Sequence, residues 1–144
     1  MTEEQAREIL NQTGLRVTAP RIAVLIALAK AESPVSHSTV LNTLKNSNWD
    51  PATIYRNLVK LVETEVAVVV SRANGIARYA LAPAHGQNHH HPHFICESCG
   101  QVACLMSEIA ISLKSVGRWA DAIKNATVQL RGNCPNCDEP LPAT

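Results

Sequence analysis

Two C-x2-C pairs, Cys96-Glu-Ser-Cys99 and Cys134-Pro-Asn-Cys137, stand 34 residues apart in the chain. Each such turn can bring two thiolates to one tetrahedral zinc ion, and two turns complete the shell. Gly100, directly after the first pair, suits the tight backbone turn that aims amides at sulfur. Four thiolates leave no position for a bound water, so the site reads as structural. The long spacer ties the segment around residue 96 to the last stretch of chain. Two disulfides or a redox-active pair are the competing reading. No export-type apolar run follows Met1, however, so the expected compartment is the reducing cytoplasm, where metal is favoured over disulfides.

At 144 residues the chain has room for one domain or two very small ones. Aromatic residues make up only 3 %, so the core must be aliphatic. Two lean half-domains gain from a metal staple or a dimer interface. The net charge is +1, and residues 1–63 hold seven Lys/Arg against six Asp/Glu, so charge alone points to no polyanionic partner. The longest apolar stretch, Ile22 to Ala29, is far short of a membrane span, and no membrane association is expected.

Helix signals fill the first half. Thr2 and Gln5 form a capping box for a helix to about Leu10, which Gly14 ends. Thr18 with Pro20 opens a second helix, Ser36 a third, and Asp50-Pro51 a fourth that runs to about Glu63. From Val66 the chain turns β-branched, and Asn74-Gly75 is a strong two-residue hairpin signal before a returning strand, Ile76 to Leu81. Helices followed by a hairpin in this order predict a winged helix-turn-helix. The third and fourth helices form the pair, the fourth reads DNA, and Asn74-Gly75 tips the wing. Beyond it, Phe94-Ile95 and Gln101-Val102 read as short strands, Ser107 as a helix start, and Thr127 to Arg131 as a strand. The predicted class is α+β. A winged-helix DNA-binding domain (1–82) and a His-rich hinge (83–92) precede a small α/β dimerisation domain (93–144) that carries the four-cysteine zinc site.

Five of the six histidines fall between His85 and His93. On an extended chain, His89, His91 and His93 share one side. Neutral imidazoles suit zinc, iron, nickel or copper and would make part of a second site. Cys104, on the strand after the first cysteine turn, is a candidate further ligand, as is His85. A solvated histidine spacer and a buried, inert Cys104 are the alternatives. His37 reads as a cap-region side chain, with ligation the lesser alternative.

Gly14-Leu-Arg-Val-Thr-Ala-Pro-Arg21, Pro51-Ala-Thr-Ile-Tyr-Arg-Asn-Leu58 and His91-Pro-His-Phe-Ile-Cys-Glu-Ser-Cys-Gly100 resemble three blocks of the ferric uptake regulator (Fur) family, in the family's order. The resemblance implies a homodimer of winged-helix domains joined by a metal-binding hinge to an α/β dimerisation domain. It also implies that metal loading closes the dimer onto double-stranded operator DNA. Arg16 matches the family's minor-groove residue and Arg21 a phosphate clamp, while Thr53, Tyr55 and Arg56 fall on the reading helix. Physically, a helix reads the groove while Arg and amides hold phosphates.

Departures from the family pattern sharpen the expectation. Ala80 and Pro34 stand where a carboxylate and a histidine usually complete the sensing site. Pro92, Ile111 and Ala126 replace a common auxiliary Asp, Glu and His. Peroxide-sensing members place an Asp where this chain has Cys104. A regulatory site of His91, His93 and Cys104, with His85 or His89, is soft and suits Zn2+, with Fe2+ or Mn2+ the other options. The expected function is thus a metal-responsive repressor with a structural zinc and a second divalent metal. The alternative is a redox- or peroxide-sensing repressor acting through Cys104 or a labile zinc–thiolate site. A zinc hydrolase is disfavoured, because no H-E-x-x-H pattern or neighbouring general base accompanies the histidines, and no small organic substrate is expected. A zinc-ribbon module that never touches DNA would leave the reading-helix and wing signals unexplained.

Overall fold

The structure, a computed structural model, describes residues 1–85, 91–105, 117–123, 126 and 128–138. In the first half, α1 (Glu3–Gln12), α2 (Ala19–Lys30), α3 (His37–Thr43) and α4 (Pro51–Glu63) pack with a small sheet. Its strands β1 (Val35–Ser36), β2 (Ala67–Ser71) and β3 (Arg78–Leu81) are antiparallel, in the order β1-β3-β2. This is a winged helix with one additional N-terminal helix. Leu10, Leu25, Ile54, Leu58, Leu61 and Val66 are completely buried in its aliphatic core.

The caps show why the helices start where they do. Thr2 and Gln5 exchange the two bonds of a capping box, Ser36 accepts from the Thr39 amide, and Asp50 accepts from the Thr53 amide. Thr18 occupies the N-cap position of α2, but its side chain makes no capping bond, and Pro20 just inside the helix fixes the entry. Helix α1 ends with Gly14 at φ +71, and the Leu15 amide bonds back to the Leu10 carbonyl. Helix α4 ends in the same way without a glycine. Glu65 takes φ 59, and the Val66 amide reaches the Leu61 carbonyl at 2.9 Å. A side chain in that region costs about 1–2 kcal/mol. Glu65→Gly should therefore raise stability by about 1 kcal/mol in urea denaturation, part of the relief being offset by the greater freedom of glycine in the unfolded chain.

The tight turn falls at Asn74-Gly75, as expected, but the paired strands stop short of it. The strands stop at Ser71 and resume at Arg78, and a bulge lies between Val69 and Ser71. Asn74 at φ 56 and Gly75 at φ +73 are both left-handed, and the Ile76 amide closes the turn on the Ala73 carbonyl at 3.1 Å. The longer loop carries Asn74 to partners outside the hairpin, described below. Strand β1 has only two residues, too few for an alternation signal.

In the second half, β4 (His93–Cys96) lies between β5 (Val102–Cys104), antiparallel to it, and β6 (Gln129–Gly132), parallel to it. Helix α5 covers Arg118–Ile123. The expected helix start at Ser107 and strand start at Thr127 lie outside the described residues. The parallel register sets Cys96 beside Gly132, two residues before Cys134, and so brings the two C-x2-C pairs together. No helix among the described residues is long and apolar enough to cross a membrane.

Candidate metal centres and DNA-reading face

The ligand atoms of Cys96, Cys99, Cys134 and Cys137 all lie within 4.8 Å of one another. The Cys99 and Cys134 sulfurs are 3.9 Å apart, too far for a disulfide. A tetrahedral zinc with Zn–S bonds of about 2.3 Å sets its sulfurs about 3.8 Å apart. The donor set therefore fits zinc. The first turn is closed by a 2.9 Å bond from the Gly100 amide to the Cys96 carbonyl, with Gly100 at φ +73, and the second by the Cys137 amide on the Cys134 carbonyl. The amides of Cys99 and Cys134 both point at the Cys96 sulfur, at 3.5 and 3.3 Å. These donors hold the Cys96 thiol down, to about 6. Hydrogen bonding with the neighbouring sulfurs, Cys134 first, pushes Cys137 up to about 12. A divalent ion resolves that conflict, since it removes the proton that crowded thiols otherwise share.

A second cluster forms on the same sheet. The ligand atoms of His91, His93 and Cys104 also lie within 4.8 Å of one another. Register explains it: His93 pairs with Cys104 across β4 and β5, and His91 is two residues earlier, on the same side. The imidazole centroids are 4.9 Å apart, and both Nε2 atoms are shielded from solvent. Burial raises the Cys104 thiol above its ordinary range. Two imidazoles and one thiol fit a zinc-like ion with one position left over. His85 is not part of this group. It lines a cleft against α1 with Gln5, Glu8 and Ile9. His89 lies outside the described residues. Among the described residues, no fourth ligand atom joins the three.

Helix α4 buries Ile54, Leu58 and Leu61 and turns Tyr55 and Arg56 outward. Tyr55 is 51 % exposed, so it is not a core residue. Arg56 donates to the Thr53 hydroxyl at 3.2 Å. The His37 ring meets Tyr55 edge-on, with centroids 5.8 Å apart, while its Nε2 lies 2.9 Å from the Pro51 carbonyl. Arg21 is partly engaged within the protein: its Nε donates to Asn57 Oδ1 at 3.0 Å and its Nη1 to the Arg16 carbonyl at 2.6 Å. Asn57 in turn donates to the Thr53 carbonyl. This buried amide braces Arg16 and Arg21 against α4. Its only sequence signal is a polar residue on the apolar face of α4. Asn57→Ala should cost about 1–3 kcal/mol in chemical denaturation, because it leaves a partly buried guanidinium N–H without its acceptor.

A winged helix joined to a small sheet that gathers thiols and imidazoles defines a metal-binding, winged-helix class of protein. A sequence profile of the ferric uptake regulator family matches residues 12–130, and the chain belongs to that family. It is 32 % identical over 137 residues to a ferric uptake regulation protein of Legionella pneumophila, a match covering 89 % of this chain and 95 % of the relative. Its fold is similar to that of the Vibrio cholerae ferric uptake regulator (TM-score 0.66, 23 % identity, 88 % and 98 % of the two chains covered). It is also similar to that of a zinc uptake regulator solved with zinc and DNA (TM-score 0.56, 23 % identity, 94 % and 91 % covered). Members of the family are transcriptional regulators, not enzymes.

Proposed function

We propose that this chain is a metal-responsive transcriptional repressor of the cytoplasm that binds operator DNA as a homodimer when a regulatory metal is held by His91, His93 and Cys104. The convergence of those three ligand atoms within 4.8 Å is the observation that carries this reading. A zinc ion at Cys96, Cys99, Cys134 and Cys137 is structural. The two separate sheets support a division into a DNA-binding domain (1–82), a hinge (83–92) and a dimerisation domain (93–144). Zinc is favoured as the regulatory ion because Cys104 supplies a soft thiolate where iron and manganese sites use oxygen. Metal and DNA each select the same closed conformer, so each raises affinity for the other. The redox alternative is less well supported in its Cys104 form, because a thiol whose pKa is raised by burial is a poor target for oxidation.

DNA reading falls to Thr53, Tyr55 and Arg56, with Arg16 toward the minor groove and Arg21 toward a phosphate. Arg56→Ala should weaken operator binding by about 1–3 kcal/mol at fixed salt, measured by fluorescence anisotropy. The deciding experiment titrates zinc, iron and manganese into the protein with its four-cysteine site loaded, and follows operator affinity. Tightening by zinc at the lowest free concentration supports the proposal, and equal operator affinity with and without every metal rejects it.

A further inference from the structure

Among the described residues, side-chain hydrogen bonds between the reading half of the chain and the second sheet gather at the wing. Asn74 Nδ2, at the wing tip, donates to the carbonyls of Glu97 and Ser98 at 3.1 and 2.8 Å. Arg78 Nε, at the start of β3, donates to the Gly100 carbonyl at 2.6 Å. Gln129 Nε2, on β6, reaches the carbonyl of the bulge residue Val70 at 3.5 Å. Packing agrees with the bonding. A Cβ on Gly100 would come within 3.1 Å of the Ala73 carbonyl oxygen, so the wing and the cysteine turn approach as closely as a glycine allows. The bulge residue Val70 and the left-handed tip residue Asn74 are among those that reach across.

Three of the four acceptors belong to the backbone of the Cys96–Gly100 turn itself. The sulfur cluster sets the shape of that turn, because the Cys99 and Cys134 amides converge on Cys96 Sγ. By contrast, the trio draws on the end of the hinge (His91) and on β4 and β5 (His93, Cys104), and Pro34 and Ala80 in the first half offer no ligand atom. An ion held by that trio ties the end of the hinge to β4 and β5. We propose that Asn74 and Arg78 are positioning residues that dock the wing on the first cysteine turn, so that metal loading of the four-cysteine knuckle orients the DNA-reading half. The four-cysteine site then has two roles: it staples the second sheet, and it presents three carbonyls, of Glu97, Ser98 and Gly100, in the direction the wing requires. This inference rests on zinc occupying the four cysteines.

Hydrogen exchange on the full-length chain tests it, with zinc loaded and after chelation under reducing conditions. In the wild type, amides of the wing (67–81) should exchange at least roughly tenfold faster after chelation, while those of α2 and α4 keep their protection. The double variant Asn74→Asp, Arg78→Met should exchange at the faster rate in both states while retaining its zinc. Asp tolerates the left-handed backbone at position 74 but has no N–H to donate. Arg78→Met alone, which leaves the turn backbone untouched, should show an intermediate rate. Wing exchange in the wild type that ignores zinc, or a double variant that keeps the full zinc response, overturns the docking role. Metal analysis separates this from failure of the zinc reading: a chain that binds no zinc through its cysteines overturns that reading instead.

Discussion

Cys134→Ser will lose the structural zinc and, with it, the fold of the second half, while the winged helix stays folded. The asymmetry comes from how burial is distributed. Among the described residues, eight of the eleven fully buried large side chains belong to the first half; the second contributes Ile95, Val102 and Cys96. Its described strands have four, three and four residues, and a sheet that short depends on a staple. Structural zinc contributes on the order of 10 kcal/mol to small metal-bound folds, far more than two buried aliphatic side chains supply. With one thiolate gone, the parallel pairing of β4 with β6 loses the link that closes it. Metal analysis should find about one zinc fewer per chain. Thermal unfolding followed by circular dichroism should show β-signal lost at low temperature and a separate helical transition persisting. Sedimentation should show the dimer weakened. A Cys134→Ser protein with its full zinc content and a single, unshifted transition would show that the knuckle is not a metal staple.

What could be read in the sequence follows the range of the interactions involved. The four helices were legible because their caps and apolar spacing are local: Thr2 with Gln5, Ser36 with Thr39, Asp50 with Thr53. Both metal clusters were legible as sets of ligands, since C-x2-C spacing and strand alternation are local rules as well. The register that makes Cys104 the partner of His93 was not readable, because it depends on where β5 pairs with β4. His85 looked equivalent to its neighbours in composition, yet the chain carries it to a cleft beside α1. Asn57 was missed because a single polar residue on an apolar helix face gives no hint of Arg21, 36 positions away. The wing was legible at its tip and not along its sides. Asn74-Gly75 makes the tight turn that its own energetics favour, but the ladder ends at Ser71 and Arg78, and the Asn74 side chain takes its hydrogen-bond partners from a segment more than twenty residues further on.

His93→Ala should abolish the response of operator binding to metal while leaving zinc at the cysteines. His93 is 3 % exposed and pairs directly with Cys104, so the register of β4 and β5 holds its imidazole at the site. Losing an outer partner of a metal ligand already costs roughly 10–100-fold in affinity, so losing one of three direct ligands should cost more than about 100-fold. Because His93 also packs within β4, His91→Ala, at a less buried position, serves as the companion variant and should give the same loss without disturbing the strand. Cys104→Asp separates ligand count from ligand type. It keeps three donors but trades a soft sulfur for a hard oxygen, so the preferred ion should move from zinc toward iron or manganese. The same exchange should flatten the pH dependence of metal binding. A buried thiol with a raised pKa must shed its proton before it can bind, which weakens binding as pH falls, whereas an aspartate is already ionised near neutrality. The measurement is operator affinity across free zinc, iron and manganese concentrations for the wild type and the three variants, with bound metal counted in parallel. If His93→Ala and His91→Ala both respond to zinc as the wild type does, the regulatory ion is held elsewhere, and the grouping of these three side chains is only a feature of the sheet's packing.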